Sequence, residues 1–131
     1  EIGTVLKNGF NQLSELYSLA EIVECIGYPC RSIIAIDGQG KFETLEIKSY
    51  MQQELIRHGV LWTAYHSLSW AHKLEDIEFT LNAYELTLKS LRKALDSNVS
   101  LRSFIEGEPV KPVFRKVADF NSYIQQKGNT D

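Results

Sequence analysis

The sequence predicts an α+β fold, a two-layer sandwich in which helices cover a small, mostly antiparallel sheet. Two short runs at residues 21–27 and 31–37 are rich in branched side chains and flank the turn chemistry of Gly27-Tyr28-Pro29. Residues 73–96 carry the strongest helical signal: Ile77, Leu81, Tyr84, Leu88, Leu91 and Leu95 step by four, three, four, three and four. Between them a second helical segment stops at Gly59, and a further apolar run follows at once. Strands and helices mixed in this order belong to the α+β class.

Taken in order, residues 3–17 predict an amphipathic helix with Leu6, Phe10, Leu13 and Tyr17 on one face. Gly3 and Gly9 each weaken it by about 1 kcal/mol relative to Ala. The helix is therefore expected to lean on a packing partner, one that lies outside the chain. Ile22-Val23-Glu24-Cys25-Ile26 and Ser32-Ile33-Ile34-Ala35-Ile36 read as two strands joined by a tight connection, and Asp37-Gly38-Gln39-Gly40 as the loop that closes the second. Residues 44–58 form the next helix. Thr44 is placed to cap its start. Ile47, Tyr50, Met51 and Leu55 face inward, and Arg57 and His58 complement the dipole of its last turn.

Val60-Leu61-Trp62-Thr63-Ala64-Tyr65 reads as a third strand. If it ran parallel to the second as a neighbour, the step across 31–65 would be a right-handed crossover. In the long helix, Glu75 and Asp76 sit in the first turn and Lys89, Arg92 and Lys93 toward the end, both favourable to the dipole. Residues 99–106 predict a short helix ended by Gly107-Glu108-Pro109. Pro112 keeps the next stretch extended, and 117–126 add a helical turn or two. The polar end at 127–131 is expected to fray. The organisation is one domain over 1–131: an entry helix at 1–17, sheet and covering helices at 21–96, and a tail at 97–131.

Composition narrows the function classes. A chain of 131 residues, 44% hydrophobic and 24% charged, suits one globular domain. A net charge of -3 with no basic, aromatic-laced stripe argues against nucleic acid as a partner. No apolar run approaches the roughly 18 residues of a membrane span. No signal peptide opens the chain, so a cytoplasmic location is the default expectation. The chain starts at Glu1, directly in a helical pattern, as a fragment or processed chain would. Cys25 and Cys30 make no disulfide framework and are expected to be reduced, in or near the sheet. His58, His66 and His72 are too scattered to complete a zinc site. Asn98-Val99-Ser100 matches a glycosylation acceptor only by coincidence.

Catalytic patterns are scarce. Gly38-Gln39-Gly40 lacks the rest of a phosphate-binding loop. Glu75-Asp76 is better explained by capping than by acid–base chemistry. Two places invite function. Tyr65-His66 ends the third run, where side chains reach a cleft and an imidazole can bond a carboxylate or carbonyl; the plain alternative is a loop histidine without a role. Arg31, at a strand start, can bind a carboxylate or phosphate; the plain alternative is a surface salt bridge. His72 is expected at the start of the long helix.

Three stretches carry a family resemblance. They are Gln52-Gln53-Glu54-Leu55-Ile56-Arg57-His58-Gly59-Val60-Leu61-Trp62, then His72-Lys73-Leu74-Glu75-Asp76-Ile77 ahead of the long helix, then Glu106-Gly107-Glu108-Pro109-Val110-Lys111-Pro112-Val113-Phe114-Arg115-Lys116. In this order they resemble the C-terminal small domain of class III pyridoxal-phosphate-dependent aminotransferases, the glutamate-1-semialdehyde 2,1-aminomutase group above all. The resemblance covers nearly the whole chain and begins in the helix that leads from the family's large domain into its small one.

The resemblance implies a fold-type I homodimer whose pyridoxal phosphate is held by a lysine and an aspartate of the large domain. Neither motif occurs here, so no cofactor is expected on this piece, no catalytic, cofactor-binding or metal-binding residue is assigned in it, and it is expected to be inactive alone. Its partners would be the large domain of the same protein and a second copy. The family's small domain covers the active site and helps select the substrate. Counting back from Glu75-Asp76 places His66 where several relatives carry a substrate-facing arginine or glutamate, with Tyr65 beside it; the loop around them is shorter here than is typical. The alternative functions are a stand-alone module that binds a small molecule such as an amino acid, and a dimerisation piece that self-associates through a bare first helix.

Overall fold

The computed structural model describes residues 1–111. The expectations at Pro112 and 117–126 lie outside the described residues. The architecture is α+β. Helices α1 (Ile2–Leu16) and α2 (Thr44–Arg57) pack on an antiparallel hairpin of β1 (Val23–Tyr28) and β2 (Arg31–Ile36), and α3 (Leu74–Asp96) packs across α1 and α2. A 3-10 turn at Leu101–Phe104 follows α3. The pairing runs from Val23↔Ile36 to Tyr28↔Arg31, which leaves Pro29-Cys30 as the loop. The turn thus sits two residues beyond Gly27, where the fixed φ of Pro29 suits its first position. Val23, Cys25, Ser32 and Ile34 point to the helices, and their alternate neighbours face solvent, as the period of a strand requires.

The core is built where α3 crosses α1 and α2. Tyr84, Leu88 and Leu91 of α3, Phe10 of α1, and Ile47, Met51 and Leu55 of α2 are all fully buried. The Phe10 and Tyr84 rings meet edge to face, 4.8 Å apart at 83°. Asp76 accepts the Lys73 N–H at 2.8 Å, so this carboxylate does cap α3. Gly59 ends α2 with φ +86. Val60 N–H reaches Leu55 O at 2.9 Å and Gly59 N–H reaches Ile56 O at 3.0 Å, the paired bonds of a Schellman stop.

The outer edge of β1 is closed by side chains of α1 rather than by a strand. Lys7 Nζ bonds Gly27 O at 2.8 Å, and Ser14 Oγ bonds Val23 O at 2.6 Å. Between them Asn11 takes both backbone groups of Cys25: its Oδ1 accepts the N–H at 2.7 Å and its Nδ2 donates to the carbonyl at 3.0 Å. Positions 7, 11 and 14 share a helix face and march along alternate residues 27, 25 and 23 of the strand. An exposed edge is thereby covered.

Several expectations are corrected. The run at 60–65 is not a strand. It meets β2 through one antiparallel pair, Ile33↔Tyr65, so the crossover of parallel neighbours does not arise. Ala64 lies at φ +74, which breaks the extended path, and the Trp62 carbonyl is taken by Gln52 of α2 at 3.2 Å instead of by a strand. Thr44 does not cap α2; Glu43 holds the N-cap position, and Thr44 Oγ1 accepts the N–H of Gly38. His72 precedes α3 and takes the Ser69 N–H on Nδ1 at 2.9 Å. The short helix at 99–106 shrinks to the 3-10 turn, its carbonyl at Phe104 bound by Gln53.

Helix α1 finds packing partners within the chain. Its buried residues Gly3, Leu6, Phe10 and Ser14 pack on the hairpin and α3. The two glycines differ in what they allow. A Cβ on Gly3 would collide with the carbonyl of Pro29, whereas one on Gly9 would meet only the flexible end of Leu81. Gly3→Ala is expected to destabilise by about 1–3 kcal/mol, as overpacking does. Gly9→Ala is expected to be near neutral, its helix gain of about 1 kcal/mol offsetting the shift of Leu81. Urea unfolding of the two variants checks this; equal losses would contradict it.

Candidate functional site

The most developed polar constellation is buried under the hairpin. Trp62 Nε1–H donates to the Tyr84 hydroxyl at 2.7 Å. Tyr84 Oη lies 2.6 Å from His66 Nε2, and His66 Nδ1 lies 2.8 Å from Ser32 Oγ and 3.9 Å from Cys25 Sγ. Every member is buried, His66 with 7% of its surface exposed. Counting donors assigns the protons. The indole can only donate, so the Tyr84 oxygen accepts. The Tyr84 proton then has His66 Nε2 as its acceptor, and the imidazole carries its own proton on Nδ1, directed at Ser32.

Burial dominates the electrostatics of the cluster. It holds the pKa of His66 below its ordinary value, and it raises those of Tyr84 and Cys25. For the histidine the consequence has a definite sign. The unfolded chain takes up a proton near pH 6.5, before the folded chain does. The stability carried by the neutral ring is complete above that pH and is lost as pH falls toward the lowered folded value. The urea midpoint is therefore expected to drop between pH 7.5 and pH 5. A midpoint unchanged over that window would contradict the buried neutral ring.

A cleft of about 180 Å³ opens beside the cluster, lined by Tyr65, His66, Ser67, His72, Asp76 and Thr80 among others. Both residues singled out from the sequence reach it, in different ways. Tyr65 is 61% exposed and free to meet a partner, while both ring nitrogens of His66 are engaged within the protein. A second, more apolar groove of about 760 Å³ runs between the start of α1 and the hairpin loop. Ile2, Tyr28, Pro29, Leu68 and Trp70 line it, and Trp70 and Tyr28 stand largely in solvent. Patches of this kind mark interaction sites.

Arg31 is exposed at the last pair of the hairpin, and it makes no ion pair among the described residues. The surface salt bridge expected as its plain role is thus not formed there. Cys25 is free and buried, Cys30 free and exposed in the hairpin loop. Among the described residues no group of His, Cys, Asp and Glu is placed to hold a metal, and no helix is long and apolar enough to cross a membrane. Sequence reasoning missed Tyr84 and Ser32 as partners of His66, and Trp62 as the donor to Tyr84. No local signal marks them: Leu61-Trp62-Thr63-Ala64-Tyr65-His66 does not alternate in polarity, and the burial of 62, 64 and 66 is set by the fold.

Comparison with known proteins adds a fold likeness. The chain superposes on the solved structure of the PLP internal aldimine form of the FumI protein of Sphingopyxis sp. MTA144 with a TM-score of 0.62 and 20% sequence identity. The match covers 79% of this chain and 24% of that one, so this chain spans about a quarter of the length of the protein it matches. No family model matches the chain, and no curated protein matches it either.

Proposed function

We propose that this chain is the small domain of a pyridoxal-phosphate-dependent enzyme, of the class III aminotransferase kind and nearest in character to the glutamate-1-semialdehyde aminomutases. The observation that carries the reading is the shared fold with a quarter of FumI, whose solved form holds PLP as an internal aldimine. The sequence resemblance stated above points the same way.

The described residues do not fit the cofactor by themselves. Lys41 lines a cleft of about 220 Å³, but Glu43 and Glu46 share it, and carboxylates there would repel a phosphate. In this reading the Schiff-base lysine belongs to a large domain of the same protein, and the chain alone is inactive. The Trp70 groove is the face on which that domain packs, because it is the apolar surface continuous with the start of α1. Tyr65 reaches substrate across the cleft, and His66 holds the segment that presents it. The parent enzyme works as a homodimer in the cytoplasm.

The full natural gene product tests the reading. It is expected to be yellow with bound cofactor, and to lose the aldimine absorbance when given an amino-acid donor. The 131-residue chain mixed with pyridoxal phosphate is expected to show no such band. A colourless natural product that binds amino acids without cofactor would replace this reading with a stand-alone binding module.

A further inference from the structure

We propose that the Trp62–Tyr84–His66–Ser32 cluster is an acid-sensitive latch: proton uptake at His66 frees residues 64–70 from the edge of β2 while the helices stay packed. The inference stands on the geometry of the cluster and is independent of the enzyme reading.

In the neutral state each donor of the chain has an acceptor. Indole N–H meets Tyr84 Oη, the hydroxyl proton meets His66 Nε2, and Nδ1–H meets Ser32 Oγ. A proton from solvent bound at Nε2 turns that acceptor into a donor. Two protons then face each other across 2.6 Å, and the Tyr84 hydroxyl has no other acceptor among its described bonds. The new charge is buried as well. From β1 it faces the Cys25 thiol, from β2 only Ser32, and from α3 the Tyr84 phenol. On the α1 side Leu6 and Phe10 are apolar. Asp76 and His72 line the adjoining cleft, but each is already engaged, with Lys73 N–H and with Ser69. Among the described residues no carboxylate bonds the ring.

The weakest link decides how the conflict is relieved. Tyr84 is fixed in the middle of α3 and packed on Phe10. The segment that carries His66 is tied to the hairpin by three backbone bonds only: Ile34 N–H to Ala64 O, His66 N–H to Ser32 O, and Leu68 N–H to Cys30 O. It also contains the left-handed Ala64, which already costs on the order of 1 kcal/mol in strain. Swinging His66 outward hydrates the cation and gives the Tyr84 proton back to solvent water. The movement carries exposed Tyr65 and Trp70 with it, so the two surfaces described above change together.

Hydrogen exchange on the 131-residue chain tests this, with protection factors corrected for intrinsic rates between pH 7.5 and pH 5. Ile34, His66 and Leu68 amides are expected to lose about tenfold for each pH unit below the onset, the linkage of one proton. Leu88 and Leu91 amides are expected to hold. The His66 ring signals followed by NMR in the same unmutated chain should titrate below that onset, since burial lowers the closed ring's affinity for a proton, and His66→Gln should flatten the response where it folds. Steady protection of the three amides, their loss together with the α3 amides, or a His66 titration at or above the onset would each overturn the latch.

Discussion

Tyr84→Phe is expected to lower the unfolding free energy by about 3 kcal/mol, because buried groups left without partners cost about 1–3 kcal/mol each. The ring, and with it the edge-to-face packing on Phe10, would remain. What disappears is the oxygen that accepts from Trp62 and donates to His66. Both partners are buried. Urea unfolding followed by Trp62 emission reads the change, since the other tryptophan, Trp70, is already in solvent. A loss under about 1 kcal/mol, the worth of an ordinary net hydrogen bond, would mean that the cluster is not a linked set. The pH dependence of stability should change with it, because the neutral form of His66 would have lost its donor.

Asn11→Leu is the second large effect, expected at about 2–3 kcal/mol from the same penalty for unpaired backbone groups. The substitution keeps size and helix position while removing both bonds to Cys25. The Cys25 N–H and C=O point away from β2 toward α1, where no strand can replace the lost amide. Lys7→Ala should cost far less, because its bond to Gly27 is exposed and water can take its place. Thermal unfolding of the two variants separates the readings: similar small shifts would show that α1 is held by apolar packing alone.

Long periodic stretches were legible in the sequence. The α3 stripe, the Gly59 stop and the two branched runs each rest on local chemistry, and each appears in the structure within a residue or two at most ends. What escaped depends on a distant partner. The run at 60–65 has the composition of a strand, but Ala64 takes a left-handed conformation that no local rule predicts for alanine, and Gln52 captures the Trp62 carbonyl. The edge cover on β1 left only a faint trace: Asn11 and Ser14 are poor helix formers placed one turn apart in α1. At the candidate site, Tyr65 and His66 drew attention by their place at the end of a run. Tyr84 looked like one more core residue of an apolar stripe, and only the fold brings its hydroxyl to the histidine.

If this chain is the covering domain proposed above, the chemistry resides elsewhere in its protein. Borohydride reduction of the full natural gene product, followed by peptide mapping, tests that most directly. A pyridoxyl group is expected on a lysine outside these 131 residues. A pyridoxyl group on Lys41 or another lysine within them, or none anywhere, would contradict it.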